Sequence, residues 1–396
     1  MGRGRLTHAL ALALVAANAQ ACTRDPDLFE AVDHDENVGG SPAQLTFSSV
    51  NDRSPAWSAA GDSIYYSAEG GGHLPPDRGV LVGIPVAGGV SERILTNAQL
   101  EGDGLEHWLV TPALAPDGES LAFVEILSLW DPHPCVLGLT VLFCLPISDE
   151  ADVRRPPVRQ IALHARRFDA TEPLETDPTL TLFMPGVTLD TVPNPPLNDI
   201  LRSNVRNYPY QQLFVQEQAF SFRTTWSPAG EVVAFSDGIG IRFWNVGADT
   251  SVFVSGTEDG VWPAWSPDGQ WIAFSRLERA DSTNTSCVYS GGFGPVCSQE
   301  RTDFIIGAHR LSLVRPDGSE VIDLGEGDEP AWSPDGSTIF FRRADQIWRS
   351  AADGSGAVAI LGSENGREPA ISPDGQFLAF SKLNASGDYD IWVFAL

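Results

Sequence analysis

Pro263-Ala264-Trp265-Ser266-Pro267-Asp268-Gly269, continued by Gln270-Trp271-Ile272-Ala273-Phe274-Ser275, reads as a strand that enters a tight turn and returns as a second strand. Pro267 presets φ for the second turn position, and Gly269 supplies a residue that tolerates positive φ. The residues after the turn are apolar and β-prone, as a buried hairpin partner should be. The phrase recurs as Pro330-Ala331-Trp332-Ser333-Pro334-Asp335-Gly336 and Pro369-Ala370-Ile371-Ser372-Pro373-Asp374-Gly375. Looser copies begin at Pro55, Pro112 and Thr225, and the whole set marks six repeats.

Working outward from each copy, third strands are predicted at Ile241–Val246, Gln346–Arg349 and Asp390–Phe394. Fourth strands are predicted at Glu92–Thr96, Ser251–Val254, Glu320–Leu324 and Val358–Leu361. Four antiparallel strands make one propeller blade. The two shortest intervals, Trp226 to Trp265 and Trp332 to Ile371, match the roughly 40–45 residues of such a blade. The longer intervals then hold insertions, placed near 127–138, 165–219 and 277–303. The last repeat ends after its third strand, while Gln44-Leu45-Thr46 precedes the first and resembles a fourth strand. Pairing the two closes the ring and removes two open sheet edges. The fold class expected is therefore all-β, a six-bladed β-propeller over residues 43–396 closed by the N-terminal strand.

The Pro-Ala-Trp-Ser-Pro-Asp-Gly, Ile-Ala-Phe-Ser, Ile-Trp and Asp-Gly series resembles the propeller repeat of the TolB family, over about residues 43–396. That resemblance implies the fold far more specifically than a function. TolB proteins carry an α/β domain ahead of the propeller, whereas residues 22–42 here read as a linker, which sets aside a role in the Tol-Pal system. The resemblance also implies that the Pro-Ala-Trp-Ser strand is innermost and lines the channel. Residues just before each Pro then ring one channel mouth: Arg53, His107, Trp108, Arg223, Trp262, Asp328, Glu329, Arg367 and Glu368. This mixed-charge rim is the candidate binding face, with ordinary solvation or ion pairing between blades as the competing role for each residue. Trp57, Trp226, Trp265 and Trp332 read as packing residues between blades.

Arg3 and Arg5 precede an apolar run from Ala9 to Ala17 that is too short to span a bilayer, so residues 1–21 read as an export signal. Ala19-Gln20-Ala21 suits ordinary cleavage, and Cys22 suits lipoprotein processing, so lipidation at Cys22 stays open, as does the choice between periplasmic and surface-anchored placement. Membrane attachment is expected only through such a lipid anchor. The remaining cysteines, Cys135, Cys144, Cys287 and Cys297, fall in two close pairs and fit disulfides in an oxidising compartment, although four cysteines allow three connectivities.

A net charge of −27, a single lysine, Lys382, and the absence of any basic cluster leave nothing to neutralise phosphates, which argues against nucleic acid as a partner. No Gly-x-Ser-x-Gly accompanies the propeller, so a hydrolase domain of the prolyl-oligopeptidase type is not expected. Some propeller polysaccharide lyases hold a channel metal with several histidines. Here His73, His107, His133, His164 and His309 show no ligand-spaced pair. The function expected is a non-catalytic, monomeric module of the cell envelope, without cofactor or metal, that recognises a protein or glycan. The alternative is a metal-dependent, lyase-like or other propeller enzyme.

Overall fold

The computed structural model describes residues 42–48, 51–69, 80–95, 105–129, 135–137, 142–144, 158–172, 174–183, 223–237, 240–276, 279–288, 296–305 and 309–396. The export signal, Cys22 and nearly all of the linker lie outside the described residues.

β1 (Ala43–Gln44) comes first in the chain. Blade 1 holds β2 (Asn51–Trp57), β3 (Ser63–Glu69), β4 (Val80–Pro85) and β5 (Glu92–Arg93). Blade 2 holds β6 (Leu105–Leu114) and β7 (Ser120–Leu129), then a separate hairpin of β8 (Cys135–Leu137) and β9 (Leu142–Cys144), then β10 (Val158–Arg167) and β11 (Thr179–Phe183). Blade 3 is β12 (Thr225–Trp226), β13 (Val232–Ser236), β14 (Ile241–Asn245) and β15 (Ser251–Phe253). Blade 4 is β16 (Gly260–Trp265) and β17 (Ile272–Arg276), a second hairpin of β18 (Arg279–Val288) and β19 (Val296–Ile305), then β20 (Arg310–Val314) and β21 (Val321–Glu326). Blade 5 is β22 (Asp328–Trp332), β23 (Thr338–Arg343), β24 (Gln346–Ala351) and β25 (Val358–Ala359). Blade 6 is β26 (Gly366–Ile371), β27 (Phe377–Leu383) and β28 (Tyr389–Ala395).

Six four-stranded antiparallel sheets result, and β1 supplies the fourth strand of blade 6, with Ala43 opposite Val393 and Gln44 opposite Trp392. The expected all-β, six-bladed propeller is the observed fold, closed by its N-terminal strand as the sequence suggested. Blade 2 departs from the anticipated layout. Its third and fourth strands, β10 and β11, run into the stretch 165–219 that reads as one insertion, because the usual Asp-Gly turn is replaced by residues 168–178 with a 3₁₀ turn at Leu174–Thr176.

The core lies between blades. One apolar cluster joins Val110, Val124 and Leu163 of blade 2 to Trp226, Phe235 and Trp244 of blade 3. Another joins Ile64 and Val82 of blade 1 to Ala379 and Ile391 of blade 6. The repeat tryptophans reinforce these seams. Trp57 Nε1 donates to Ala370 O, Trp226 Nε1 to Ala113 O and Trp332 Nε1 to Ala264 O, each in the preceding blade, at 3.0, 3.0 and 3.1 Å. Trp265 stacks on Phe243 instead, with ring centroids 5.1 Å apart.

Each innermost strand except β12 carries a bulge. Proline has no N–H to give to the ladder, and the residue before it turns left-handed: Ser54, Thr111, Trp262, Glu329 and Glu368 have φ of 55, 54, 52, 51 and 56°. Register slips at each of these points. The bulge turns that residue's N–H toward the preceding blade, where a buried acceptor meets it: Thr111 N donates to Ser67 Oγ at 3.0 Å, and Glu329 N to Ser275 Oγ at 3.1 Å. Blade 2 has Val124 at the serine position, opposite Val110. The following strand, β12, has no proline, and Thr224 is not left-handed.

Candidate functional site

Alternation fixes which connections share a face. In every blade the first strand leaves the channel-mouth rim, the second returns to it, the third leaves and the fourth returns. Connections from second to third strand, and from fourth strand to the next blade, therefore begin and end on the rim. Residues 70–79, 94–104, 130–157, 184–224 and 277–309 all belong to these two kinds, and both extra hairpins lie within them. The opposite face carries short turns such as Ser266–Gln270 and Arg315–Glu320, with residues 168–178 the longest.

At the rim, the predicted charges are gathered into buried ion pairs. Glu329 and Glu368 replace serine as acceptors for the bulge N–H groups of the next blades: Glu368 N donates to Glu329 Oε2 at 2.5 Å and Ser54 N to Glu368 Oε2 at 2.8 Å. Their other oxygens take guanidiniums, Arg367 Nη2 on Glu329 Oε1 at 2.7 Å and Arg53 Nη2 on Glu368 Oε1 at 2.8 Å. Burial alone would raise the Glu368 carboxyl, but Arg53, Arg367 and the hydrogen bonds from Ser54 and Ser381 hold it down to about 2. Arg53 and Arg367 also lie over the Tyr389 ring, 5.1 and 5.7 Å from its centroid.

Arg223 of blade 3 donates from Nη2 to Pro369 O at 3.1 Å. In a ring of six, blade 6 lies opposite blade 3, so this side chain bars the channel. Burial lowers its pKa, against the fields of Glu368 and Glu329.

Asp328 and Trp262 form a second neighbourhood between blades 4 and 5. His309 Nδ1 lies 2.9 Å from Asp328 Oδ2, which also accepts Arg342 Nη1 at 3.2 Å. The Trp262 ring centroid is 5.2 Å from that of His309. Beside them opens a cavity of ≈ 220 Å³, lined by His309, Asp328, Arg342 and Asp345 among others.

His107 is drawn elsewhere, into a buried thread across blade 2. Its Nδ1 lies 2.6 Å from Glu125 Oε1, His164 Nε2 lies 2.9 Å from Glu125 Oε2, and Thr179 Oγ1 lies 3.1 Å from His164 Nδ1. Burial would raise Glu125, yet the two imidazoles bring it down to about 2. Trp108 sits on β6 opposite Ile126, and its side chain lies outside the described residues.

Sequence reasoning thus named most of the rim but missed Arg342, Asp345 and Tyr389, and it did not bring His309 to Asp328. One signal was present for Arg342: it occupies the serine position of the Ala-Phe-Ser motif. Among the described residues, no group of three or more His, Cys, Asp or Glu is arranged to hold a metal ion.

These features define a six-bladed β-propeller with an elaborated channel-mouth face. No protein-family model matches the sequence, and no curated protein matches it. Solved structures do. TolB from Acinetobacter baumannii is similar at 14% identity and a TM-score of 0.44, over 82% of this chain and 58% of that one, so the chain spans little more than half of that protein. A structure assigned as TolB from Agrobacterium tumefaciens is similar at 16% identity and a TM-score of 0.45, over 90% of this chain and 99% of that one. An oligogalacturonate lyase in complex with manganese is similar at 11% identity and a TM-score of 0.43, over 89% and 79%. These likenesses are ones of fold.

Proposed function

We propose that this chain is an exported, non-catalytic binding module of the cell envelope that recognises a protein or glycan partner with its channel-mouth face. The observation that carries the reading is that the three longest connections, 130–157, 184–224 and 277–309, all begin and end on the rim. A ring whose opposite face carries mostly short turns, apart from residues 168–178, has been elaborated where contact is made, since loops on a rigid scaffold are the usual carriers of binding. The charged rim beneath is already paired internally, which gives a fixed platform. The blade 2 histidines favour a non-catalytic reading as well: His107 is 6% exposed and His164 3%, and both are committed to Glu125. The hairpins on this face are proposed to be stapled by Cys135–Cys144 and Cys287–Cys297.

Affinity capture from an envelope extract tests the reading. The comparison is between a rim variant, His309→Ala with Asp345→Asn, and an opposite-face variant, Asp317→Asn with Glu320→Gln. A partner retained by the native chain and the opposite-face variant but lost by the rim variant supports it. Retention by the rim variant, or equal loss from both, overturns it. Glu329 is a poor target for this purpose, because it is fully buried and holds both Arg367 and the Glu368 N–H.

A further inference from the structure

We infer that the cavity between blades 4 and 5 is a subsite for a single cationic side chain, the ammonium of a lysine or the guanidinium of an arginine carried by a protein partner. This rests on the rim-binding reading and names what part of that face selects.

Both guanidiniums beside the cavity are already engaged, while several carboxylate oxygens around it are not. Arg342 gives Nη1 to Asp328 and Nη2 to Asp345. Arg343 gives Nε and Nη2 to the Glu326 backbone carbonyl. Against these, Asp328 is 6% exposed and its Oδ1 is buried without a hydrogen-bond partner. His309 uses Nδ1 on Asp328, and its Nε2 makes no hydrogen bond to a described residue. The exposed Glu326 carboxylate is engaged by none of the described residues, and Asp345 is exposed with its second oxygen open. The exposed Glu326 and Asp345 oxygens are the acceptors a ligand donor meets, and the enclosed, unpaired Asp328 Oδ1 adds to the negative field behind them.

Charge points the same way. Three carboxylates, Glu326, Asp328 and Asp345, face two guanidiniums, on a chain whose net charge is −27. A cationic group is drawn to such a surface at long range, and a polyanion is repelled by it. The residues do not form a metal-ligating group, which favours an organic cation that binds through several N–H donors. The ≈ 220 Å³ of space far exceeds the roughly 10–15 Å³ that one water needs. Trp262, its ring tilted against that of His309, backs the wall beside it.

Calorimetric titration of the full chain with Nα-acetyl-lysine amide and Nα-acetyl-arginine amide, against Nα-acetyl-norleucine amide and Nα-acetyl-citrulline amide, tests the assignment. The cationic probes should bind at least several-fold more tightly than the neutral ones and weaken as salt is raised. Glu326→Gln and Asp345→Asn should each weaken them about two- to fivefold, the range expected for exposed charge pairs. Both positions are exposed, and asparagine suits the left-handed φ of 59° at position 345, so the variants should fold. Equal binding of citrulline or norleucine amide overturns the proposal. So does indifference to both substitutions, or a neutral disaccharide that binds there in place of the cations. If the cations fail while the captured partner still depends on the rim variant, the cationic subsite falls and the binding face stands.

Discussion

Glu368 accepts from Arg53, from the Ser54 N–H and from Ser381, and so ties blade 6 to blade 1 across the seam where the ring closes. Removing one member of a buried, hydrogen-bonded ion pair strands the other, which typically costs about 3–5 kcal/mol. Glu368→Gln should therefore lower stability by that order in denaturant titration. Asp323→Asn, which breaks a pair with Arg310 whose two side chains are each 52% exposed, should change it by less than about 1 kcal/mol. Equal effects would show that the rim charges are solvated decoration. Sequence position alone placed Arg53, Glu329, Arg367 and Glu368 on one ring, because all precede a repeat proline. It could not pair them. Pairing depends on the left-handed bulge, which turns one backbone N–H and one side chain of each strand toward a neighbouring blade, and residue type does not announce that turn.

At the scale of the element, the register of the two added hairpins bears on a pairing that spacing leaves open. Cys135 stands directly opposite Cys144 in the β8–β9 ladder, and Cys287 directly opposite Cys297 in the β18–β19 ladder. Opposed residues of an antiparallel pair have Cα atoms about 4.5–5.5 Å apart, inside the range a disulfide spans. Of three connectivities, only the local one matches register in both hairpins. An isolated two-stranded ribbon is marginal in water, which gives a cross-strand bond something to stabilise. Peptide mapping of the exported protein without reductant should recover Cys135 linked to Cys144 and Cys287 linked to Cys297. A peptide joining one hairpin to the other, or free thiols at all four positions, would refute the assignment. First and second strands were legible throughout because turn and strand chemistry sit in one contiguous phrase. In blade 2 the alternation at Thr179–Phe183 reads as a strand and is one, but neither Ile-Trp nor Asp-Gly marks this half of the blade, so its third strand and the place of both in the sheet emerge only from tertiary pairing.

For the whole molecule, the weak point of a propeller is the joint between first and last blades, and two buried carboxylates sit at it. Burial pushes Asp52 up to about 7, only partly offset by hydrogen bonds from Thr46 and Ser48, with Asp390 adding to the rise; burial raises Asp390 as well. Asp390 meets Gln44 of the closing strand at 3.0 Å, and Ser48 beyond it meets Asp52 at 2.8 Å. Between about pH 4 and 7 the folded chain keeps a proton on Asp52 that the unfolded chain has lost, so unfolding becomes easier as pH rises through that window and stays easier above it. Glu368 and Glu125 act oppositely. Held near 2, they contribute stability that is complete above their ordinary value of 4.5 and is lost as pH falls toward 2. Both ends of the range thus reach the closing seam, acid through Glu368 (and blade 2 through Glu125), the rise from about pH 4 to 7 through Asp52. Asp52→Asn removes the Asp52 share of the seam's titration and should flatten most of the decline between pH 5 and pH 8, a gain over the native chain of as much as about 4 kcal/mol at the upper end. Denaturant unfolding of both proteins at the two pH values measures this directly. An unchanged decline in the variant would show that Asp52 at the closing joint does not set the loss of stability toward neutral pH.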